Sequence, residues 1–248
     1  MNIFNKMESI HFYKYQGTGN DFIMIDDRKQ QFNENNEALI AHLCDRRFGV
    51  GADGLILLRR HAETDFEMIY FNADGRLASL CGNGSRCAVH FANFLGIIDE
   101  KTTFKTVEGN LDAYILYGLI HLRMPDVVNI QMTGDHFLIK TGSPHYICFV
   151  DEIENLNVYE KGREIRYSKP FAKEGTNVNF VKPISDSEIF VRTYERGVED
   201  ETLSCGTGVT ASAIAYSLKN AKSPVNIKTP GGSRSLLITR STRYSGRF

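Results

Sequence analysis

Two cysteines lie in near-copies of one short motif. Cys81-Gly82-Asn83-Gly84 recurs as Cys205-Gly206-Thr207-Gly208, separated by half of the 248 residues. Each motif is followed by an amphipathic run, Ser85–Leu95 or Val209–Lys219, which predicts a helix with the thiol at its N-terminus. Free backbone N–H groups and the helix dipole favour an anion there, and they activate a thiol. Two such motifs in two similar halves predict two facing acid–base groups with a substrate between them.

The helix terminus alone makes each thiol only a modest acid. A reference thiol has a pKa of ~8.5, and a helix end contributes at best ~2 kcal/mol, which lowers the pKa by less than ~1.5 units. A strong base therefore needs the substrate to dock and water to leave. If the two sulfurs are close, charge repulsion keeps one as a thiolate and the other as a thiol. One base and one acid on opposite faces of a carbon can invert a stereocentre.

The other cysteines are predicted to be structural. Cys87 falls inside the first helix among small and apolar residues, and Cys44 and Cys148 lie in apolar segments. A buried, inert role is the usual one for such cysteines. A zinc site made from Cys81, Cys87 and His90 does not match a known ligand spacing, so we expect neither a metal nor another cofactor.

Polar residues around the cysteines are candidates for holding a zwitterion. Asn20, Asn72 and Asn177 lie in glycine-rich turns, where asparagine is also favoured for backbone reasons. Glu195 and Arg196 come shortly before the second cysteine. They are either a surface ion pair or a grip on the ammonium and carboxylate ends of an amino acid. His145 by itself is most simply a structural histidine at the start of a strand.

The stretch Gly49–Gly54 formally matches the G-x-G-x-x-G dinucleotide fingerprint. A Rossmann site requires that fingerprint to follow a strand and open a helix. Here a predicted helix, Asn36–Cys44, comes before the stretch, and a predicted strand, Gly54–Leu58, comes after it. We therefore predict a substrate-lining loop and not a nucleotide site.

The elements that position these residues predict an α+β fold. Each half, residues 1–124 and 125–248, contains alternating strand-like stretches around one helix that begins at a cysteine. We expect antiparallel-rich sheets, each wrapped around its central helix, in two pseudo-symmetric halves. Gly175–Phe180 also resembles Gly17–Phe22, which suggests an internal repeat.

Composition excludes several other classes of protein. The formal net charge of −1 provides no general attraction to nucleic acid or to a membrane surface. No apolar stretch approaches the ~18–20 residues that span a bilayer, and Met1–Ile10 does not read as a signal peptide. An odd number of cysteines without disulfide spacing suits a reducing compartment, so we expect a cytoplasmic protein.

The motifs together resemble the diaminopimelate epimerase family. The resemblance runs in family order from about residue 11 to 232. The two cysteine motifs are shared loosely with proline racemase-type enzymes, whereas the Asn-Ala-Asp-Gly and Glu-Arg-Gly pieces are more specific. The matching stretches are Gly17–Phe22, Arg46–Gly54, Phe71–Gly75, Cys81–Cys87, Gly142–His145, Tyr194–Gly197 and Glu201–Gly208.

The resemblance implies two α/β halves that close on the substrate. It also implies cofactor-independent interconversion of LL- and meso-2,6-diaminopimelate, with Cys81 and Cys205 as the acid–base pair supported by His145 and Glu195. Backbone donors to the reacting carboxylate would come from Gly82, Asn83, Gly206 and Thr207. The remaining substrate groups would be bound by Asn20, Asn72, Ser143, Asn177, Glu195 and Arg196.

Departures from the family pattern leave alternatives open, and one of them is a loop between Arg196 and Cys205 that is one residue longer than in many relatives. Ser143 stands where the family often has Asn, and Gly54 where some members have Gln. Ser233–Phe248 lacks the pattern with which the family continues through two strands, a segment that completes the first domain and helps to form a homodimer. The alternatives are an epimerase of the same fold acting on another amino acid, or an inactive relative with a disrupted C-terminus.

Overall fold

The computed structural model describes residues 9–78 and 80–238. The chain divides into two compact units, and the division falls after Pro125. Among the described residues, each unit contains one mixed β-sheet and two helices. The two units are described separately below.

The sheet of the first unit has its seven strands in chain order. Neighbouring strands are antiparallel except for two parallel pairs, the second with the third and the fourth with the fifth. A helix connects the strands of each parallel pair, as a parallel connection requires. The elements are β1 (Tyr13–Gly17), β2 (Asn20–Asp26), α1 (Glu37–Cys44), β3 (Gly54–Arg59), β4 (Phe66–Asn72), α2 (Gly82–Phe94), β5 (Lys101–Thr106), β6 (Gly109–Leu116) and β7 (Leu119–Leu122).

The second unit has a similar plan, with one short strand before the shared pairings and another that pairs with β12 outside the main strand order. Its strands follow the order β15-β14-β12-β11-β10-β9-β8, and β13 pairs with β12. The elements are β8 (Ile130–Thr133), β9 (His136–Thr141), β10 (Ser143–Phe149), α3 (Val158–Arg166), β11 (Asn177–Ser185), β12 (Glu188–Glu195), β13 (Asp200–Thr202), α4 (Gly206–Asn220), β14 (Val225–Thr229) and β15 (Gly232–Leu236).

The two sheets share one succession of pairings, which is the internal repeat. The hairpin β1–β2 corresponds to β9–β10, and each is joined through a helix to a parallel neighbour, β3 or β11. The antiparallel pairs that follow are β3–β4 and β11–β12, and the long helix of each unit comes next. The likeness of Gly17–Phe22 to Gly175–Phe180 does not belong to this repeat. The first stretch spans the β1–β2 turn and the start of β2, whereas the second leads from α3 into β11.

Each sheet is covered by a helix on both faces. In β3, which is apolar from Leu55 to Leu58, Ile56 and Leu58 pack in the core beside α2, while Leu55 and Leu57 pack in the core beside α1. Successive side chains of a strand point to opposite faces, so a strand buried on both faces has to be apolar at every position. In β11 the same alternation places Val178 in the α3 core and Val181 in the α4 core.

Both long helices begin at the residue after a motif cysteine, so Cys81 and Cys205 are the N-caps of α2 and α4. The motif glycines therefore belong to the first helical turn, ahead of the predicted runs Ser85–Leu95 and Val209–Lys219. The prediction of an amphipathic second helix is wrong, because α4 is buried around most of its circumference.

Several elements were not predicted from the sequence, namely α3, β8, β13, β14 and β15. Helix α3 is strongly charged and has Gly162 in its interior, which lowers helix propensity by about 1 kcal/mol. Packing explains this glycine, because a Cβ there would lie 2.3 Å from Cβ of Tyr194. The expectation that strands are missing after Gly232 is wrong in part, since β15 pairs with β14. Residues 239–248 of that predicted tail lie outside the described residues.

Candidate active-site residues

The Cys81 thiol is held at the start of α2 by two hydrogen bonds of opposite sense. The backbone N–H of Gly84 donates to Sγ at 3.4 Å, which is the capping interaction of the helix. The thiol in turn faces Oδ1 of Asn20 at 3.6 Å. As predicted, the thiol lies where the free N–H groups of a helix start are concentrated.

A carboxylate fixes the orientation of Asn20. Its Nδ2 donates to Oδ2 of Asp53 at 2.7 Å, and Asp53 is itself paired with Arg46. Asp53 lies in the Gly49–Gly54 stretch, which follows α1 and leads into β3 as predicted. This loop therefore holds a residue of the candidate site through a side-chain contact.

Asn83 is buried in the first turn of α2 beside Asn20. Its Oδ1 accepts from Nη2 of Arg86 at 2.6 Å and from the Thr18 hydroxyl at 3.3 Å, while its Nδ2 donates to Asn20 Oδ1 at 3.4 Å. Burial lowers the pKa of Arg86, and none of the ion pairs found within residues 9–78 and 80–238 involves it. The Arg86 charge interacts with the thiols of Cys81 and Cys87.

The Cys205 thiol is buried at the start of α4, and its environment differs from that of Cys81. Sγ lies 3.6 Å from Oγ1 of Thr207, two residues further along the chain. The Thr207 carbonyl accepts from the Thr141 hydroxyl at 2.8 Å, which ties the first turn of α4 to β9. The neighbouring Ser204 hydroxyl accepts from Nη2 of Arg234 at 2.8 Å.

His145 joins Thr207 to the sheet beneath α4. Its Nε2 lies 2.9 Å from Oγ1 of Thr207, and its Nδ1 lies 3.1 Å from Nδ2 of Asn179. Asn179 also bonds to the Tyr146 carbonyl and to the Thr193 hydroxyl. His145 therefore belongs to a continuous chain of hydrogen bonds that ends at Cys205.

Burial, with a smaller contribution from the charge of Arg196, lowers the pKa of His145 to about 3. The side chain is only 1% exposed, so it is neutral at physiological pH. An unfolded histidine titrates near pH ~6.5. Between these two pH values the histidine is protonated in the unfolded chain but not in the folded protein. The contribution of His145 to the free energy of unfolding is therefore fully present above pH ~6.5 and decreases as the pH falls towards 3.

We expect this histidine to make the folded protein acid-labile. Below pH ~6.5 the wild type should lose roughly 1.4 kcal/mol of unfolding free energy per pH unit more than His145→Gln, which has no group to titrate there. Urea unfolding at several pH values between 7 and 5 measures the two slopes. Parallel slopes for the two proteins would contradict the prediction.

Glu195, Arg196 and Asn177 meet at the end of β12. Asn177 is buried, and its amide bonds at both ends to backbone, accepting from Arg196 N at 2.8 Å and donating to the Pro144 carbonyl at 3.2 Å. Glu195 accepts from the Thr202 hydroxyl at 2.9 Å, and Arg196 donates to the Glu174 carbonyl at 2.8 Å.

The remaining predicted residues lie at strand ends of their own units. Asn72 ends β4 with an exposed side chain, and its backbone closes the turn to Arg76. Ser143 begins β10, opposite Thr141 of β9. Gly54 pairs with Asn72, and a Cβ on Gly54 would lie 2.4 Å from the Phe71 carbonyl oxygen. This backbone therefore has no room for the longer residue that some family members carry there.

Of the three other cysteines, Cys44 and Cys87 are buried as predicted, whereas Cys148 is only partly buried. Cys44, Cys87 and Cys148 do not belong to disulfide bonds. Burial raises the pKa of Cys44 to about 11 and that of Cys87 to about 12, and it also raises the pKa of Cys148. Within the described ranges, no cluster of three or more His, Cys, Asp or Glu side chains could hold a metal ion. Among the helices of those ranges, none is long and apolar enough to cross a membrane.

Sequence reasoning missed the residues that orient the predicted ones. Asp53 and Arg86 lie inside stretches that were identified, but neither was assigned a role. For Asn179 a signal existed, since strand alternation places it on the same face as Asn177. Asp53, Arg86 and Asn179 bond to the predicted site residues, whereas the sequence motifs indicate only residues that could contact a substrate directly.

Comparison with known sequences identifies one family. The family model described as diaminopimelate epimerase matches residues 12–116 and 137–245. The diaminopimelate epimerase of Flavobacterium psychrophilum is 51% identical over 223 residues, which cover 89% of this chain and 87% of the relative. That of Aquifex aeolicus is 42% identical over 244 residues, which cover 90% and 88%.

Comparison with solved structures shows the fold. A phenazine biosynthesis protein of the PhzF family from Bacillus anthracis superposes with a TM-score of 0.69 at 15% identity, covering 92% of this chain and 89% of its own. A hydroxyproline epimerase from Agrobacterium vitis gives a TM-score of 0.65 at 15% identity, with 95% and 86% covered. These neighbours confirm the predicted α+β fold with two similar sheets.

Proposed function

Since the chain belongs to the diaminopimelate epimerase family, we propose that it interconverts LL- and meso-2,6-diaminopimelate by moving an α-proton between two thiols. Family membership makes it an isomerase of the epimerase type, as the resemblance predicted. Cys81 and Cys205 are the acid–base pair of this proposal. The meso product would serve lysine and peptidoglycan-precursor synthesis.

One observation carries the proposal, namely that each motif cysteine is the N-cap of its unit's long helix. The N–H groups of a first helical turn have no partner within the helix and point towards the space beside the cap. A carboxylate bound there sets its α-carbon beside the thiol. Gly82, Asn83, Gly206 and Thr207 would supply these donors.

The reaction needs two proton transfers at one carbon. A thiolate takes the α-proton, and the electron pair of the C–H bond moves into the carboxylate as an enolate-like charge. Aimed N–H dipoles stabilise that charge most strongly in a site without water. The thiol of the other cysteine then gives its proton to the opposite face, which inverts the centre and exchanges the roles of the two sulfurs.

The groups away from the reacting carbon would be bound by polar side chains. Arg196 is exposed and carries a full charge for the distal carboxylate, and Glu195 offers an acceptor for an ammonium group. Asn20, Asn72, Ser143 and Asn177 would complete the set. His145 is neutral and buried, so its proposed role is support of Cys205 and not direct proton transfer.

Deuterium exchange tests the proposal. Purified protein is incubated with LL-diaminopimelate in D2O without added cofactor and followed by NMR. We expect loss of the α-hydrogen signal together with appearance of the meso isomer. The double variant Cys81→Ala/Cys205→Ala is the matched control and should show neither.

The alternatives give different results in the same experiment. Exchange with another amino acid, such as proline or 4-hydroxyproline, but not with diaminopimelate would identify a different epimerase. Absence of exchange with every substrate in the panel would favour an inactive relative and contradict the proposal.

A further inference from the structure

Glu199, in the turn after β12, is a carboxylate with four partners. Its Oε2 accepts from the Tyr167 hydroxyl at 3.0 Å and from the Tyr194 hydroxyl at 3.1 Å. Its Oε1 accepts from the Gly197 backbone N–H at 3.1 Å and lies 3.4 Å from Nε of Arg166. A carboxylate offers about four acceptor positions, so these partners match its capacity. This pattern is that of an anchor and not of a solvated surface charge.

The backbone at Glu199 also has to be held in place. Its φ of +58° lies in the left-handed region, which a residue with a Cβ rarely adopts. Its N–H donates to the Glu195 carbonyl at 2.8 Å and closes a turn that contains Arg196. Such conformations persist only where the surrounding structure maintains them, and they cluster at functional sites. We expect the four contacts of the Glu199 carboxylate to maintain this turn.

Arg166, the last residue of α3, packs against a second segment of the chain. Its guanidinium lies beside the backbone of Gly175, where a Cβ would be only 2.5 Å from Cζ. Nη1 lies 3.5 Å from the Phe171 carbonyl oxygen. Cζ lies 4.7 Å from the centre of the Tyr167 ring, within the range of a cation–π contact. Arg166 therefore packs along residues 171–175, which lead into β11.

Arg196 is bound to both segments. Its backbone N–H donates to Oδ1 of Asn177, the first residue of β11, and its Nη1 donates to the Glu174 carbonyl, each at 2.8 Å. The guanidinium is thus oriented by the segment that Arg166 contacts, while the backbone of Arg196 belongs to the turn that contains Glu199. The ion pair of Arg166 with Glu199 joins the two segments that determine where the Arg196 side chain lies.

We propose that Glu199 is a positioning residue, which together with Arg166 joins the turn 195–199 to the segment 171–175 and so holds the Arg196 guanidinium in one orientation. The consequence for catalysis rests on the proposed function, in which Arg196 binds the distal carboxylate of the substrate. An arginine side chain loses rotamer freedom when it binds a ligand, and ordering it in advance lowers this cost. Neither Glu199 nor Arg166 touches the substrate in this scheme.

The first test is amide hydrogen exchange of the free protein, followed by mass spectrometry of its peptides. Glu199→Gln keeps the size of the side chain but removes the charge that faces Arg166. We expect the peptides that contain residues 171–175 and 195–199 to exchange several-fold faster than in the wild type. Glu188→Gln is the matched control, because Glu188 lies at the start of the same strand, β12, and pairs with Lys228. It should leave both peptides unchanged.

Tyr167→Phe is a second and milder variant. It removes one of the four partners of Glu199 and keeps an aromatic ring beside Arg166. Because Tyr167 is exposed, we expect this variant to fold even if Glu199→Gln does not. The same two peptides should exchange faster than in the wild type, to a smaller extent than in Glu199→Gln.

The second test separates KM from kcat in the turnover of LL-diaminopimelate. Glu199→Gln should raise KM about tenfold and leave kcat within about twofold of the wild type, since a grip remote from the reacting carbon contributes uniform binding. In an Arg196→Gln background the same substitution should have no further effect on KM, because no guanidinium remains to be positioned. A merely structural role would change activity in both backgrounds alike.

Three results would overturn the inference. One is unchanged amide exchange of both peptides in folded Glu199→Gln. The others are a loss confined to kcat, and an equal change of KM with and without Arg196. Amide exchange needs no substrate, so it decides whether Glu199 holds the two segments even if the wild type does not turn over diaminopimelate. That last outcome would contradict the proposed function alone.

Discussion

Cys81→Ala and Cys205→Ala should each abolish measurable epimerisation. Loss of a general acid or base costs about 10²- to 10⁴-fold in rate, and each variant leaves only one of the two required proton carriers. Both positions are helix N-caps, where replacing the thiol by a methyl group removes a single heavy atom. We therefore expect folded variants, and turnover of LL-diaminopimelate measures the effect.

Cys87→Ala is the matched control for this pair. Cys87 lies on the same helix as Cys81, but it is buried in the core, and burial raises the pKa of its thiol to about 12. Its removal should lower the melting temperature slightly and leave the rate per folded molecule unchanged. Wild-type turnover by either Cys81→Ala or Cys205→Ala would end the two-thiol mechanism.

Gly208→Ala should have the next largest effect, and its counterpart Gly84→Ala a much smaller one. Each glycine is the third residue after a motif cysteine. A Cβ on Gly208 would lie 2.4 Å from Asn179 Oδ1 and 3.3 Å from Cys205 Sγ, so Asn179 or the start of α4 has to move. Displacement of a reacting group by about 1 Å can cost 10²-fold in rate.

The same substitution in the first unit places the new Cβ against side-chain ends that can move. A Cβ on Gly84 would lie 2.9 Å from Cδ1 of Ile56 and 3.2 Å from Cε of Met68, the flexible ends of two apolar side chains. Rates per folded molecule for the two variants, with melting temperatures measured in parallel, give the comparison. Equal losses in both would show that the Asn179 contact has no part in the effect.

Local patterns were sufficient for much of the fold and for the two thiols. The repeated Cys-Gly-x-Gly motif predicted that each thiol caps a helix, because capping depends on residues within one turn. The predicted helix Asn36–Cys44 and the predicted strand Gly54–Leu58 are observed as α1 and β3, each with one bound shifted by one residue. The family resemblance rested on similar short stretches, and the comparisons confirm it.

Local patterns failed where distant contacts decide the structure. Helix α3 has a glycine in its middle and few buried residues, and its packing against Tyr194 cannot be read from the sequence around it. The parallel pairs β4–β5 and β12–β14 also escaped prediction, since alternation does not report which strands become neighbours.

The sequence by itself determined which family this chain belongs to and which two thiols lie at helix starts. Only the tertiary structure decided what each thiol faces. Asp53 reaches Asn20 across 33 residues, and Thr207 meets His145 across 62. Two motifs that are nearly identical in sequence thereby acquire different hydrogen-bond partners, an amide oxygen at Cys81 and a hydroxyl at Cys205. These partners are far from the cysteines or from each other along the chain, so only the folded backbone brings them into hydrogen-bonding distance.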